Sequence, residues 1–82
     1  MVVFLESAFK HGYQEEDFYE VLASRRLKFR SRRGLENVYE VYGRNHTGDY
    51  LHIAYRRAGG QTMVFHMRQM SLREKQMYRS HR

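Results

Sequence analysis

The sequence contains no cysteine and no hydrophobic run long enough to cross a membrane. Without cysteine there is no disulfide framework, no thiolate nucleophile and no cysteine-rich zinc site. The apolar run at residues 1–5 is too short for a membrane-spanning helix, which needs roughly 20 residues, and too short for the core of a signal peptide. We therefore expect a cytoplasmic protein with no membrane partner.

The motifs of several enzyme classes are also missing. No Gly-x-Ser-x-Gly elbow is present, which argues against a serine hydrolase. The pair Gly59-Gly60 lacks the spacing of a dinucleotide fingerprint or a P-loop. No two of the five histidines have the i, i+4 spacing of a helical metal site. The sequence thus indicates neither a metal nor another cofactor.

Positive charge and aromatic rings are plentiful. The 82 residues include 15 Lys and Arg against 9 Asp and Glu, a formal net charge of +6. Residues 25–33 contain six basic side chains and no acid, whereas residues 15–20 contain four acidic side chains and no basic one. Such a protein is expected to bind an anionic partner. RNA is favoured because unpaired bases stack on aromatic rings while cations hold the phosphates.

The hydrophobic pattern predicts one α+β domain over residues 1–82. We expect a mainly antiparallel sheet of about four to five strands, two N-terminal helices and one C-terminal helix. The predicted elements are a strand buried on both faces at 1–5, helices at 7–11 and 14–24, strands at 27–30, 37–44, 50–56 and 62–68, a turn at 32–34, and a helix from Ser71 to about Ser80. In the last strand, alternation places Met63, Phe65 and Met67 on one face and Val64, His66 and Arg68 on the other.

Two histidines are candidates for chemistry. Alternation puts His52 on one strand face with Arg56, and His66 on the face of a neighbouring strand with Arg68. Imidazole moves protons near neutral pH and guanidinium binds phosphate bidentately, so the set is typical of metal-independent phosphodiester cleavage. The alternative is that these residues are ordinary solvent-exposed members of a sheet face.

Three motifs, read in order, resemble those of a known family. They are Lys10-His11-Gly12, Gly43-Arg44 and Arg68-x-Met70-Ser71-x-x-Glu74-x-x-x-Tyr78, and in this order they resemble the BrnT-type toxins of type II toxin–antitoxin systems. The resemblance implies a RelE-like fold and a cytoplasmic ribonuclease that blocks translation. It also implies a ribbon-helix-helix antitoxin as partner, in a hetero-oligomer. The chain differs from the family in its short segment before Lys10 and in reading His66-Met67 where the family has Ser-Ala.

The resulting hypothesis is a metal-independent endoribonuclease toxin. Its candidate catalytic residues are Lys10, His11, Arg44, His52, His66 and Arg68, and its candidate RNA-binding residues are Lys28, Arg30, Tyr55, Arg56 and Arg73. Arg44, Arg68 and His66 would hold the scissile phosphate, while Lys10, His11 or His52 would assist the 2′-oxygen. The alternatives are a non-catalytic basic RNA- or DNA-binding module and a protein-binding adaptor for an acidic partner.

Overall fold

The computed structural model describes residues 1–31 and 36–81, which form a five-stranded mixed sheet with two α-helices. The elements in chain order are β1 Val2–Phe4, a 3-10 turn Glu6–Phe9, α1 Glu15–Ala23, β2 Leu27–Arg30, β3 Val38–Arg44, β4 Tyr50–Ala58, β5 Gln61–Gln69 and α2 Leu72–Ser80. The strand order is β1-β5-β4-β3-β2, in which only β1 and β5 are parallel. This arrangement confirms the α+β class and the antiparallel order of β3, β4 and β5.

The number of helices corrects the prediction. Two α-helices lie within the described ranges, where three helices were expected. The residues after β1 make only the 3-10 turn, and Gly12 follows in the left-handed conformation at φ 89°, which ends the segment. The RelE-like arrangement of helices therefore stays a prediction. The turn predicted at 32–34 lies outside the described residues.

Helix α1 covers one side of the sheet, which we call the core face. Its capping box pairs Gln14 with Asp17, whose carboxylate accepts the Gln14 backbone N–H at 2.8 Å. Phe18 and Val21 of α1 are buried against strand residues, namely Val41, Leu51, Ile53, Tyr55, Val64 and Met67. These large side chains are essentially removed from water, so the core face carries most of the hydrophobic stabilisation.

Helix α2 packs on the opposite side of the sheet, which we call the site face. Ser71 and Glu74 form a capping box at the predicted start of this helix, with both reciprocal hydrogen bonds present. Tyr78 is buried against Tyr42 and Met70 in a second, smaller apolar cluster. Neither α1 nor α2, at nine residues each, has the length that a membrane-spanning helix requires, and no other described helix does.

Two strand predictions were wrong in detail. Strand β1 was expected to be buried on both faces, but its three residues are half-buried because it is an edge strand with a single neighbour. In β5, Val64 pairs with Tyr55 and His66 pairs with Ala54, so Phe65 is an extra, bulged residue. The bulge breaks the alternation: Val64 and Met67 both point to the core face.

Candidate active site

Side chains of β3, β4 and β5 form two adjacent rows on the site face. Cross-strand pairing produces one row of Tyr42, His52 and Arg68 and a second row of Glu40, Ala54 and His66. Ala54 has the smallest side chain of the six, so the middle of the second row is shallow. A cavity of about 390 Å³ opens over this place, and Glu74 of α2 contributes to its wall.

His52 is the buried member of the site. Its side chain is 8% exposed, and its Nε2 lies 2.9 Å from a carboxylate oxygen of Glu40. Because a carboxylate only accepts, the Nε2 atom carries the proton. The Nδ1 atom is buried and has no hydrogen-bond partner. Burial lowers the pKa of His52 in spite of the bond to Glu40, so the ring is neutral at neutral pH.

Tyr42 and Glu40 hold the His52 ring in place. The Tyr42 ring stacks on His52 with centroids 4.8 Å apart, and its hydroxyl donates to the same Glu40 oxygen at 3.2 Å. Burial and the carboxylates of Glu40 and Glu74 raise the pKa of the Tyr42 hydroxyl, which therefore stays protonated as a donor. His52 is fixed on one ring face and at Nε2, so it acts as a support for its neighbours.

His66 is the accessible imidazole of the cavity. Its ring contacts His52 edge-on at 5.3 Å and the exposed His11 at 5.9 Å between centroids. Burial lowers the pKa of His66, and the nearby His52, Arg68 and His11 lower it further. His66 is therefore a neutral imidazole at neutral pH, free to accept a proton.

Arg68 forms a forked ion pair with Glu74 across the edge of the cavity. The two carboxylate oxygens accept from Nη1 and Nη2 at 2.8 and 2.9 Å. Burial raises the pKa of Glu74, but the bonds from Arg68 and from the Ser71 backbone outweigh it and lower that pKa to about 2. The hydrogen bond to Glu74 in turn raises the pKa of Arg68. Both groups are charged at neutral pH.

One edge of the Arg68 guanidinium stays available. Nη1 donates to Glu74 and to the carbonyl oxygen of Gln69, and Nη2 donates once to Glu74. An arginine has five N–H donors, so Nε–H and the second Nη2–H remain, and they point along the same edge. No described residue accepts from them. This edge matches two oxygens of a phosphate.

The structure brings four of the six candidate catalytic residues together: His11, His52, His66 and Arg68. Lys10 is exposed at the end of the 3-10 turn and does not line the cavity. Arg44 ends β3 beside the hairpin loop, where its guanidinium donates to the Gly48 carbonyl oxygen. Within the described ranges, no three His, Asp or Glu side chains converge in a way that could hold a metal ion.

The candidate RNA-binding residues are scattered. Lys28 pairs with Val41 and its ammonium lies over the ring of Tyr39, both core-face residues, so it lies away from the cavity. Tyr55 is 6% exposed in the core, which gives it a packing role and no face for a base. Arg56 is exposed on β4, whereas Arg30 and Arg73 together line a separate groove beside Phe29 and Met77.

Four residues of the site are absent from the predicted set: Glu40, Tyr42, Ala54 and Glu74. Glu40 and Tyr42 alternate on β3 as His52 and Ala54 do on β4, so a correct register between the two strands would have paired them. The sequence does not specify the register of β3 against β4, because the hairpin loop at 45–49 is compatible with more than one pairing of the two strands.

Comparison of the chain with protein-family models, with curated proteins and with solved structures found no match. The function is therefore inferred from the geometry of the cavity and of the charged surface around it.

Proposed function

We propose that this protein is an endoribonuclease that cleaves RNA by transfer to the neighbouring 2′-oxygen. The proposal is carried by one observation. The neutral, accessible imidazole of His66 and the guanidinium of Arg68, which has a free edge, line the same shallow cavity. A base and a fixed cation around the same space are what such a transesterification needs. No group from outside the chain is required for the step.

The roles follow from exposure and free donors. His66 takes the proton of the 2′-hydroxyl, and the 2′-oxygen attacks phosphorus. The free edge of Arg68 neutralises charge on the phosphate oxygens as it develops. The bond to the 5′-oxygen breaks, and His11, the exposed imidazole next to His66, is placed to protonate that oxygen. The products are a 2′,3′-cyclic phosphate and a 5′-hydroxyl.

The test is cleavage of labelled single-stranded RNA by the purified chain in EDTA. His66→Gln should lower the rate roughly 10²- to 10⁴-fold, because it removes the base. Arg68→Lys keeps a cation for Glu74 but loses the planar edge, and it should lower the rate roughly hundredfold. His46→Gln, which removes an exposed imidazole of the hairpin loop, should cleave at the wild-type rate. Wild-type cleavage by a folded His66→Gln variant would contradict the proposal.

A second candidate function is binding of nucleic acid without chemistry. It is favoured by the free cations: among the described Lys and Arg residues, only Arg68 makes an ion pair with a carboxylate. Exposed cations without acidic partners are the electrostatic footprint of a polyanion-binding surface. Binding of RNA with no cleavage in the same assay would select this function.

The regulatory half of the proposal is a toxin silenced by an antitoxin. It is supported by the resemblance to the BrnT-type toxins and by the net charge of +6, which suits a partner that brings carboxylates. A ribbon-helix-helix protein encoded beside this chain would be the expected partner. Expression of the chain alone should arrest growth, and coexpression of that partner should restore it.

A further inference from the structure

Another cavity, which shares no lining residue with the one at His66, is built almost entirely from cations and aromatic rings. It has a volume of about 350 Å³ and is lined by Ser24, Arg25, Arg44, Tyr50, Tyr78 and Arg79. We call it the basic groove. None of its lining residues is acidic. It lies on the other side of α2 from Arg73 and Met77, with Arg79 and Tyr78 as its helical wall.

Two of the arginines are held by backbone carbonyl groups. Arg25 donates from Nη1 to the carbonyl oxygen of His81 and from Nη2 to that of Tyr78 at the end of α2. Arg44 donates from Nε and Nη2 to the Gly48 carbonyl oxygen at 3.3 and 3.2 Å. Carbonyl oxygens orient a guanidinium but leave its full positive charge uncompensated. The arginines are therefore ordered and still charged, which lowers the entropic cost of binding an anion.

The aromatic rings of the groove also hold cations. The guanidinium of Arg44 lies 4.6 Å and the ammonium of Lys75 lies 5.1 Å from the centre of the Tyr50 ring. Arg25 lies 4.3 Å from the centre of the Tyr78 ring. Each ring thus makes at least one cation–π contact, which places a positive charge over its face. The groove offers charge rather than open rings, so it suits phosphate groups better than stacked bases.

An acid beside the groove does not cancel this charge. Glu20 lies in the adjacent shallow cavity that Arg44 and Ser24 also line. Its carboxylate accepts the backbone N–H of His46 at 2.9 Å and lies 3.5 Å from the His46 ring. Glu20 is therefore engaged with the hairpin loop and forms no ion pair with Arg44. The four cations Arg25, Arg44, Lys75 and Arg79 have no carboxylate partner among the described residues.

We infer that the basic groove binds the phosphate backbone of single-stranded RNA without reading its sequence. The inference rests on the proposed function for the identity of the polymer, since the cavity at His66 supplies the reason to expect RNA. Helix α2 joins the two places: Glu74 near its start borders the cavity, and Arg79 near its end borders the groove. An RNA strand bound in the groove would be held at a point away from the bond that is cleaved.

The test measures binding separately from cleavage by using a fluorescein-labelled 2′-O-methyl oligouridine, which cannot be cleaved. Fluorescence anisotropy gives its affinity over a series of salt concentrations. Arg44→Gln/Arg79→Gln should reduce the slope of log affinity against log salt by about 1.4, at roughly 0.7 per lost phosphate contact. The matched control, Lys28→Gln/Arg57→Gln, makes the same change in net charge at two exposed residues that line neither the cavity at His66 nor the basic groove. It should leave the slope within about half of one contact of the wild-type value.

Two outcomes overturn the inference. An unchanged slope for the groove variant, with circular dichroism showing a folded protein, would mean that the groove holds no phosphate. A loss confined to the Lys28→Gln/Arg57→Gln variant would place the RNA strand on the exposed cations of β2 and β4 instead of in the groove. Neither outcome depends on cleavage. Conversely, a groove variant with the expected slope in a protein that never cleaves RNA would remove the proposed nuclease and keep the groove.

Discussion

His52 is a buried base whose environment opposes its charge, and this has a consequence for stability. Burial lowers the pKa of His52, and burial with the neighbouring cations lowers that of His66. In the unfolded chain both rings take up protons at higher pH than in the folded one. The free energy of unfolding should therefore be highest, as far as these two histidines determine it, above about pH 7. It should fall as the pH drops through about 6.5 toward the pKa values of the two histidines in the folded protein.

Chemical denaturation at a series of pH values measures this dependence. The double variant His52→Gln/His66→Gln should flatten the curve between about pH 7.5 and pH 5.5. Glu74 acts at lower pH: because its pKa is about 2, the stabilisation from its ion pair declines as the pH falls below about 4.5 and is lost near pH 2. A slope between pH 7.5 and 5.5 that persists in the double variant would assign it to other groups.

At this same scale, residue types were easier to predict than their surroundings. Alternation in β4 correctly placed the His52 side chain on the other face of the strand from Leu51 and Ile53. It could not show that Glu40 would bond to Nε2, because that depends on the register of β3 against β4. Nor could it show that Tyr55 would be buried, since an alternating strand does not reveal which face has a helix over it.

At the scale of elements, Gly43 fixes how closely α1 approaches β3. A Cβ atom at this position would lie 2.9 Å from both the Val21 Cγ1 atom and the Ser24 Oγ atom. The Val21 side chain is fully buried and cannot move aside without disturbing the core. Gly43→Ala should therefore lower the free energy of unfolding by roughly 1–3 kcal/mol.

Urea denaturation of Gly43→Ala checks this value. Gly59→Ala is a useful comparison because its Cβ would meet no atom within 4 Å, although Gly59 has φ 57° and the change is strained for that reason. The two variants separate contact from backbone strain. The contact explanation also predicts that Val21→Ala partly rescues Gly43→Ala, with the pair less destabilising than the sum of the single changes. Strict additivity would contradict it.

The elements show where local pattern succeeds and where it fails. The start of α2 was predicted from its cap, because the capping residues Ser71 and Glu74 are close in sequence. The capping box of Gln14 and Asp17 at the start of α1 was not predicted. The bulge at Phe65 was not predicted, because an inserted residue shows itself only against its partner strand. That bulge decides the site: it moves Val64 to the core face while His66 and Arg68 stay beside Ala54 and His52.

At the scale of the whole molecule, the uncompensated charge sets the expected behaviour toward an acidic protein partner. The free cations create a field that reaches beyond any single contact, so association with the proposed antitoxin should slow steeply as salt rises. Apolar contacts should instead set the dissociation rate. Met70 and Tyr78 are 7% and 3% exposed and cannot serve as anchors, whereas Leu72 of α2 is 71% exposed.

Stopped-flow and surface-capture kinetics with the product of the neighbouring reading frame separate these two contributions. Leu72→Ser should speed dissociation and leave the association rate almost unchanged, because it removes an apolar contact without altering charge. Arg44→Gln/Arg79→Gln should slow association and reduce its dependence on salt. The Leu5→Ser variant, on the 43% exposed residue that follows β1, is the matched apolar control and should change neither rate. Association that is insensitive to salt would show that the net charge of +6 serves RNA alone, and that any partner docks through apolar surface on another part of the molecule.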